Sequence, residues 1–218
     1  MPHRPPPCSA SVAHMAAGAK LEAPSATRNV DALNQLLTQH APHSGNALEL
    51  ASGTGQHIVR FAAQFPDLNW QPTEIDPSRI ASIDAYADEA GLANLKSAVP
   101  LDACEGKWSD EFAGQSLIML INLLHLISGR EAQTLITQAA RALTSGGKLI
   151  IYGPFMRGGV LTSEGDLAFH RSLTDQDAEI GYKDDVSTLE VGCEAGLDVK
   201  EVVEMPANNL ALVFSRPT

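Results

Sequence analysis

Apolar residues alternate between short runs and helical spacing along the chain from Arg28 onward. The short apolar runs predict five strands, at positions 47–51, 69–73, 95–101, 117–123 and 149–152. The stripes at helical spacing predict five helices, at positions 30–37, 58–65, 77–90, 131–143 and 184–195. Strands that alternate with helices in this way indicate a mostly parallel α/β sheet.

The last part of the chain has a different pattern. Two apolar segments, 199–203 and 210–214, flank the short polar stretch 205–209. So short a connection makes the two strands antiparallel, because a parallel crossover needs about a dozen residues or more. We therefore predict a mostly parallel seven-stranded sheet with helices on both faces and a C-terminal antiparallel hairpin.

The length of 218 residues and the hydrophobic share of 44% fit one domain with a full core. Residues 1–26 are rich in proline, alanine and serine and show neither strand nor helical spacing. We interpret them as a flexible N-terminal tail and residues 27–218 as the folded domain. No apolar run approaches the roughly 20 residues that span a bilayer, so we expect no membrane association and a cytoplasmic location.

Charge and cysteine content narrow the class of partner. The chain has 26 acidic and 15 basic residues, and its net charge of −11 argues against a nucleic-acid or anionic-membrane surface. Cys8, Cys104 and Cys193 are odd in number and far apart, which predicts neither a disulfide framework nor a metal knuckle. We expect no metal site. The pattern leaves the oligomeric state open.

The most informative segment runs from Leu48 to His57, where an apolar strand leads through a glycine-rich turn into a helix. Ala51, Gly53 and Gly55 are small, so the backbone can turn sharply and a ligand can lie against it. The N-terminus of the helix that follows favours a negatively charged ligand group. Together these features predict a ligand site at the carboxyl ends of the first strands.

Two acidic residues end the second predicted strand, about where open α/β folds hold the ribose hydroxyls of a nucleotide. The spacing favours Glu74 for the ribose and Asp76 as the N-cap of the next helix. Two nucleotide classes fit such a site, dinucleotides and S-adenosylmethionine. A dinucleotide loop would have a third glycine at the position of Ile58. Glu49, a carboxylate beside a helix N-terminus, suits the ammonium group of S-adenosylmethionine, so we favour the methyl donor.

The loop Glu49-x-Ala51-x-Gly53-x-Gly55 resembles motif I of class I S-adenosylmethionine-dependent methyltransferases, and the resemblance covers roughly residues 28–216. The blocks LELASGTGQH, WQPTEIDP, INLLH, YGPF and EMPANNL are similar to an uncharacterised methyltransferase-like family, a domain of unknown function with bacterial members and a human relative. Ala51 stands where the motif usually has its first glycine, and Glu74 where many relatives have aspartate. The resemblance implies a Rossmann-like methyltransferase fold and S-adenosylmethionine as cofactor.

The resemblance also assigns Asp102, after the third predicted strand, to the adenine amino group. Asn122 and His125 interrupt an apolar run at the end of the fourth strand, where they are candidates for lining the methyl-transfer site, with His125 a candidate base. Cofactor contacts are expected from Glu49, Ala51, Ser52, Gly53, Thr54, Gly55, Glu74, Asp76, Asp102, Ala103 and Asn122.

Residues 153–183 are too long for a simple connection and predict a lid over a small-molecule acceptor. Phe155, Arg157, His170, Arg171 and Tyr182 are the candidate lid side chains. We therefore expect a methyltransferase with a small-molecule substrate. Two alternatives stay open, an NAD(P)-dependent oxidoreductase and a non-catalytic S-adenosylmethionine-binding protein.

Overall fold

A computed structural model describes residues 13–218. Its strands are β1 (His14–Met15), β2 (Leu21–Glu22), β3 (Gly45–Leu50), β4 (Leu68–Glu74), β5 (Val99–Pro100), β6 (Gln115–Ile121), β7 (Leu143–Met156), β8 (Lys183–Asp184), β9 (Asp198–Met205) and β10 (Asn209–Ser215). Its α-helices are α1 (Pro24–His40), α2 (Gln56–Gln64), α3 (Pro77–Ala90), α4 (Trp108–Glu111), α5 (Gly129–Ala142), α6 (Glu164–Thr174) and α7 (Asp185–Glu194). None of the helices in this part of the chain is long and apolar enough to cross a membrane.

The central sheet has the strand order β5-β4-β3-β6-β7-β10-β9, and the short β8 pairs with β7. β5, β4, β3, β6 and β7 run parallel to one another, whereas β10 is antiparallel to both β7 and β9. The predicted mostly parallel sheet with a C-terminal antiparallel hairpin is thus confirmed. Because β3 lies between β4 and β6, the carboxyl ends of these strands meet at one edge of the sheet.

Side chains that alternate along the strands form a core on each face of the sheet. Leu48 and Leu50 of β3 pack in the cluster that includes residues of α5, whereas Ala47 packs with residues of α1 and α2. On β10, Leu212 is in the first cluster and Val213 in the second. Both faces of the sheet are therefore covered, which is why the strands of the interior have few polar residues.

The third predicted strand, 95–101, is shorter in the structure. Only Val99 and Pro100 pair with β4, and Leu95 makes an isolated bridge to Trp70. Pro100 has no N–H, and the Ala98 N–H donates to the Asp84 carboxylate instead of a strand. This edge of the sheet is consequently held by few ladder hydrogen bonds.

The segment predicted as a lid, 153–183, contains regular structure. β7 extends past the predicted end at position 152, because Gly153 and Pro154 stay paired with β10. Helix α6 follows, and the buried Leu173, Ile180 and Tyr182 form a small apolar cluster of their own. The part of the segment that follows β7 is therefore packed around a small core of its own.

Residues 13–26, which belong to the predicted flexible tail of positions 1–26, include two short strands and the start of a helix. β1 and β2 form a short antiparallel hairpin, and α1 begins at Pro24, where proline suits the first helical turn. Ala26 is buried. Positions 1–12 lie outside the described residues. We call residues 13–23 the N-terminal arm.

Candidate functional site

The glycine-rich turn connects β3 to α2 through three residues in the left-handed region. Ala51, Gly53 and Gly55 have φ values of 52°, 62° and 92°. The predicted need for small residues follows from this backbone, since a larger side chain is strained at positive φ. The turn is held to the sheet by the Ser52 N–H, which donates to the Thr73 carbonyl at 2.8 Å.

The two acidic residues at the end of β4 have different roles. Glu74 is buried, and its carboxylate accepts the N–H of Gly53 at 2.9 Å and that of Ile75 at 2.7 Å. Asp76 is the N-cap of α3, since its Oδ1 accepts the N–H of Ser78 at 2.7 Å. The hydroxyl of Ser78 also donates to it, and this bond is the main reason that the pKa of Asp76 is lowered. The predicted N-cap role of Asp76 is confirmed.

A cavity of about 740 Å³ opens at the carboxyl ends of the parallel strands. Its volume is in the range of small-molecule and cofactor sites. The cavity brings together all of the predicted cofactor-contact residues except Gly55; these are Glu49, Ala51, Ser52, Gly53, Thr54, Glu74, Asp76, Asp102, Ala103 and Asn122.

The two glycines of the turn face different surroundings. A Cβ built on Gly53 would have only the Arg79 Nη1 atom nearby, at 3.8 Å, so the cavity side of this residue is open. A Cβ on Gly55 would lie 2.8 Å from the Ile83 Cα atom. Gly55 was predicted to contact the ligand, but it is absent from the cavity lining. Because it has no side chain, α2 can approach α3 closely at this point.

Glu49 is a buried carboxylic acid at the wall of the cavity. Its side chain is 1% exposed, and its Oε2 has no hydrogen-bond partner among the described residues. The pKa of Glu49 is raised to about 8, mainly by burial; a hydrogen bond with the Ser52 side chain opposes this rise and the nearby Glu74 adds to it. A buried carboxyl with one unpartnered oxygen is costly, so the place of Glu49 at the cavity favours a ligand with a complementary donor.

The loop after β5 forms another wall. The Asp102 carboxylate accepts the Cys104 N–H at 2.9 Å, and the indole N–H of Trp108 donates to the Ala103 carbonyl at 3.1 Å. These contacts fix the loop, and Asp102 and Ala103 line the cavity. No group of three or more histidine, cysteine, aspartate or glutamate side chains within residues 13–218 could hold a metal ion.

The side chains of Asn122 and His125 have different surroundings in the structure. Asn122 lines the cavity in a left-handed conformation, with φ of 56°. His125 is 4% exposed and packs edge-on against the rings of Phe169 and Tyr182, at 5.6 and 6.4 Å between centroids. Burial lowers the pKa of His125 to about 3. His125, a candidate base in the sequence, is therefore absent from the lining of the cavity and belongs to the small core around α6.

The lid predicted from the sequence is also elsewhere. No residue of 153–183 lines the cavity, and Arg157 is ion-paired with Glu204 and donates to Asn208. Tyr182 donates its hydroxyl to Asp166 within the same segment. The wall that the sequence assigned to this segment is formed instead by Ala13 and Ala23 of the N-terminal arm and by the first turn of α1.

His57 lines the cavity and was not predicted as a site residue. It lies in the first turn of α2, and its Nε2 is 2.7 Å from the Asn29 Oδ1 of α1. Burial lowers the pKa of His57 to about 4, so the ring is neutral at physiological pH. Its position could have predicted it as a site residue, because it directly follows the glycine-rich turn and side chains in the first turn of α2 lie near that loop.

Solved structures similar to this one include O-methyltransferases. An O-methyltransferase family protein from Burkholderia thailandensis superposes with a TM-score of 0.72 at 19% identity, over 87% of this chain and 55% of that chain. PigF with SAH gives 0.70 at 17% identity, over 86% and 54%. An O-methyltransferase family 2 protein from Planctomyces limnophilus in complex with apigenin gives 0.70 at 16% identity, over 86% and 61%. The chain thus spans little more than half the length of these proteins and shares their fold.

The sequence itself matches one protein-family model over residues 20–216. The match starts within the N-terminal arm and ends after β10, so it includes the glycine-rich turn, the acidic end of β4 and the terminal hairpin. That extent is nearly the whole of the described structure. The chain belongs to the DUF938 family of proteins of unknown function.

Proposed function

We propose that this protein is an S-adenosylmethionine-dependent methyltransferase that acts on a small-molecule acceptor. The observation that carries the proposal is the unpartnered Glu49 Oε2, buried at the wall of the cavity beside the glycine-rich turn. The methionine part of S-adenosylmethionine has an ammonium group, which would supply the missing donors and a compensating charge.

The acidic end of β4 fits the nucleoside part of the same ligand. A carboxylate has about four acceptor positions, and the backbone N–H groups that Glu74 accepts leave room for ribose hydroxyls. Gly53 has no neighbour within 4 Å on its Cβ side apart from Arg79, so the ligand can approach the backbone. Asp102 and Ala103 line the cavity at the next strand end, in position to contact the adenine.

The comparisons support the same class. The similar structures include one with SAH and one O-methyltransferase family 2 protein in complex with apigenin. At this low identity the superpositions show a shared fold only, so the proposal of activity rests on the chemistry of the cavity. The net charge of −11 is a further argument against a nucleic-acid acceptor.

When bound, S-adenosylmethionine would supply an activated methyl group on its sulfonium, which an acceptor takes by in-line displacement. The chain has to orient the reactants and exclude water. Glu49 would hold the ammonium end of the cofactor and Glu74 its ribose. Asn122, with a side chain that both donates and accepts hydrogen bonds, would orient the acceptor at the end of β6.

A dinucleotide-dependent oxidoreductase was the alternative left by the sequence. The position of the third dinucleotide glycine is occupied by Ile58, whose fully buried side chain packs between α2 and the sheet. The helix therefore cannot move closer to a pyrophosphate without losing core packing. This observation favours S-adenosylmethionine over NAD or NADP.

Calorimetry with S-adenosylmethionine, S-adenosylhomocysteine, NAD and NADP tests the ligand class. We expect binding of the first two only, and a large loss of affinity in Glu49→Gln. Glu105→Gln is the matched control, since Glu105 is an exposed carboxylate at the same cavity. Binding of NAD in place of S-adenosylhomocysteine would reject the assignment. Formation of S-adenosylhomocysteine over a panel of small metabolites then separates an enzyme from a protein that only binds the cofactor.

A further inference from the structure

The N-terminal arm covers part of the cavity, although little apolar surface holds it there. Ala13 and Ala23 of the arm line the cavity together with Ser25 and Ala26 at the start of α1. Met15, a large apolar side chain of the arm, is 75% exposed. Burial of apolar area therefore contributes little to holding the arm, and its position has to depend on polar contacts.

One side chain of α2, that of Gln56, makes one of these contacts with the arm and two more with neighbouring residues. The Gln56 Oε1 accepts the N–H of Ala23 at 2.6 Å and the hydroxyl of Thr54 at 2.9 Å. The Gln56 Nε2 donates to the hydroxyl of Thr27 at 3.2 Å. Gln56 thus joins the last residue of the arm, the first turns of α1 and the glycine-rich loop.

A second attachment lies on α3. The fully buried Ser82 donates its hydroxyl to the Thr54 carbonyl at 2.7 Å and accepts the Leu21 N–H at 2.8 Å. Further out, Lys20 is ion-paired with Glu89 on α3. Both Gln56 and Ser82 therefore connect the arm to Thr54, a residue that itself lines the cavity.

We propose that Gln56 is a positioning residue that fastens the N-terminal arm over the glycine-loop end of the cavity, and that the arm opens for the cofactor to enter and leave. A segment held by a few hydrogen bonds and little apolar packing opens at low free energy. Helices α1 and α2, which contact the arm, stay packed in the core when the arm opens. The identity of the ligand rests on the proposed function, whereas the attachment of the arm does not.

Three variants of the full chain test this assignment. Gln56→Ala removes all three contacts, whereas Gln56→Glu keeps two acceptors for the Ala23 N–H and the Thr54 hydroxyl. Gln64→Ala is the matched control, because Gln64 ends the same helix and donates to the α1 residue Thr38 at 3.1 Å, away from the cavity. Hydrogen exchange of peptides covering residues 13–23 reports arm opening, and stopped-flow release of S-adenosylhomocysteine reports ligand exit.

We expect exchange of the arm and the dissociation rate of S-adenosylhomocysteine to rise about fivefold or more in Gln56→Ala, the effect of losing one to two net hydrogen bonds. Gln64→Ala should match the wild type in both measurements, and Gln56→Glu should restore slow arm exchange. Saturation with S-adenosylhomocysteine should slow arm exchange in the wild type. Far-UV circular dichroism and the urea midpoint establish that the variants are folded.

Equal arm exchange in Gln56→Ala and Gln64→Ala would overturn the fastening role, whether or not a ligand binds. Faster arm exchange without faster release of S-adenosylhomocysteine would overturn the role of the arm in ligand exit. Failure of the wild type to bind S-adenosylhomocysteine would instead reject the proposed function, and arm exchange would still decide the role of Gln56.

Discussion

The Glu74 carboxylate and the Gly53 N–H, 21 positions apart in the chain, are joined by a hydrogen bond of 2.9 Å. This bond connects the end of β4 to the middle of the glycine-rich turn, so that the two halves of the proposed cofactor site are built as one unit. A group that both closes the turn and faces the cavity couples the stability of the loop to the affinity for the ligand.

Glu74→Gln is expected to lower both the stability of the protein and its affinity for the ligand. Each oxygen of Glu74 accepts a backbone N–H, from Gly53 or from Ile75, and the amide replaces one acceptor by a donor that faces a second donor. The free energy of unfolding should fall by about 1–3 kcal/mol, the cost of a buried polar group without a partner. Urea denaturation and calorimetry with S-adenosylhomocysteine measure the two effects.

Asp76→Asn is the control for this substitution, because asparagine caps helices about as well as aspartate. We expect it to change the free energy of unfolding by less than about 0.5 kcal/mol. Equal effects of the two substitutions would contradict the coupling through Glu74.

Glu49→Gln should stabilise the protein at alkaline pH. The pKa of Glu49 is raised from 4.5 to about 8, so the folded protein keeps a proton that the unfolded chain loses in that interval. Stability of the wild type therefore falls as pH rises from 4.5 to 8, by about 1.4 kcal/mol per pH unit at most for this group. The glutamine side chain does not titrate. The urea midpoint of Glu49→Gln should therefore exceed that of the wild type by a margin that grows from pH 4.5 to pH 8.

The same measurement on Glu105→Gln should show no such trend, since Glu105 is exposed. If Glu49→Gln were equally stable relative to the wild type at pH 5 and pH 8.5, the carboxyl would be ionised throughout. The idea that the ligand relieves a buried acid would then be untenable.

Gly55→Ala should be more destabilising than Gly53→Ala. Both residues have positive φ, which costs an alanine about 1–2 kcal/mol. Only Gly55 meets an additional obstacle, since its Cβ would be 2.8 Å from the backbone of Ile83. Thermal unfolding should show a lower Tm for Gly55→Ala, whereas Gly53→Val should abolish binding of S-adenosylhomocysteine with little change in far-UV circular dichroism. The reverse order of Tm values would refute this division of roles.

His125→Gln should reduce the sensitivity to acid. Burial, and to a lesser extent the charge of Lys183, lowers the pKa of His125 from 6.5 to about 3. Between these values the unfolded chain binds a proton that the folded protein does not, so stability is present above pH 6.5 and is lost as pH falls. The slope of the urea midpoint against pH between 6.5 and 4 should decrease in the variant.

His43→Gln is the matched control, because His43 is exposed, and it should leave that slope unchanged. Activity of His125→Gln at neutral pH should stay near that of the wild type, because the ring lies outside the cavity. A kcat loss that a rise in pH restores would reinstate His125 as a base.

The periodic parts of the fold were predictable from sequence because both faces of the sheet are buried. Runs such as 117–121 are apolar throughout, and the short polar turn before β10 could only join antiparallel strands. The glycine-rich turn and Glu74 were also predictable, since backbone at positive φ and an acidic strand end leave a residue-level pattern.

The boundaries of the site were not predictable in the same way. The N-terminal arm is held by the side chains of Gln56 and Ser82, which lie far along the chain and follow no periodicity. The length of 153–183 indicated a lid, but its apolar residues include Leu173 and Tyr182, which pack on one another and enclose His125. Spacing along the sequence cannot distinguish a polar residue that faces a cavity from one that faces a second small core.

The interior position of β10 has a consequence for biosynthesis. β10 is the last strand in chain order and yet lies between β7 and β9, with Leu210, Leu212 and Phe214 fully buried. During translation, the edge of β7 that pairs with β10 therefore stays unpaired until residues 209–215 have emerged from the ribosome. Exposed edges and apolar surface of this kind are what chaperones protect in nascent chains. We therefore expect the nascent chain to be prone to aggregation in the interval between the synthesis of β7 and that of β10.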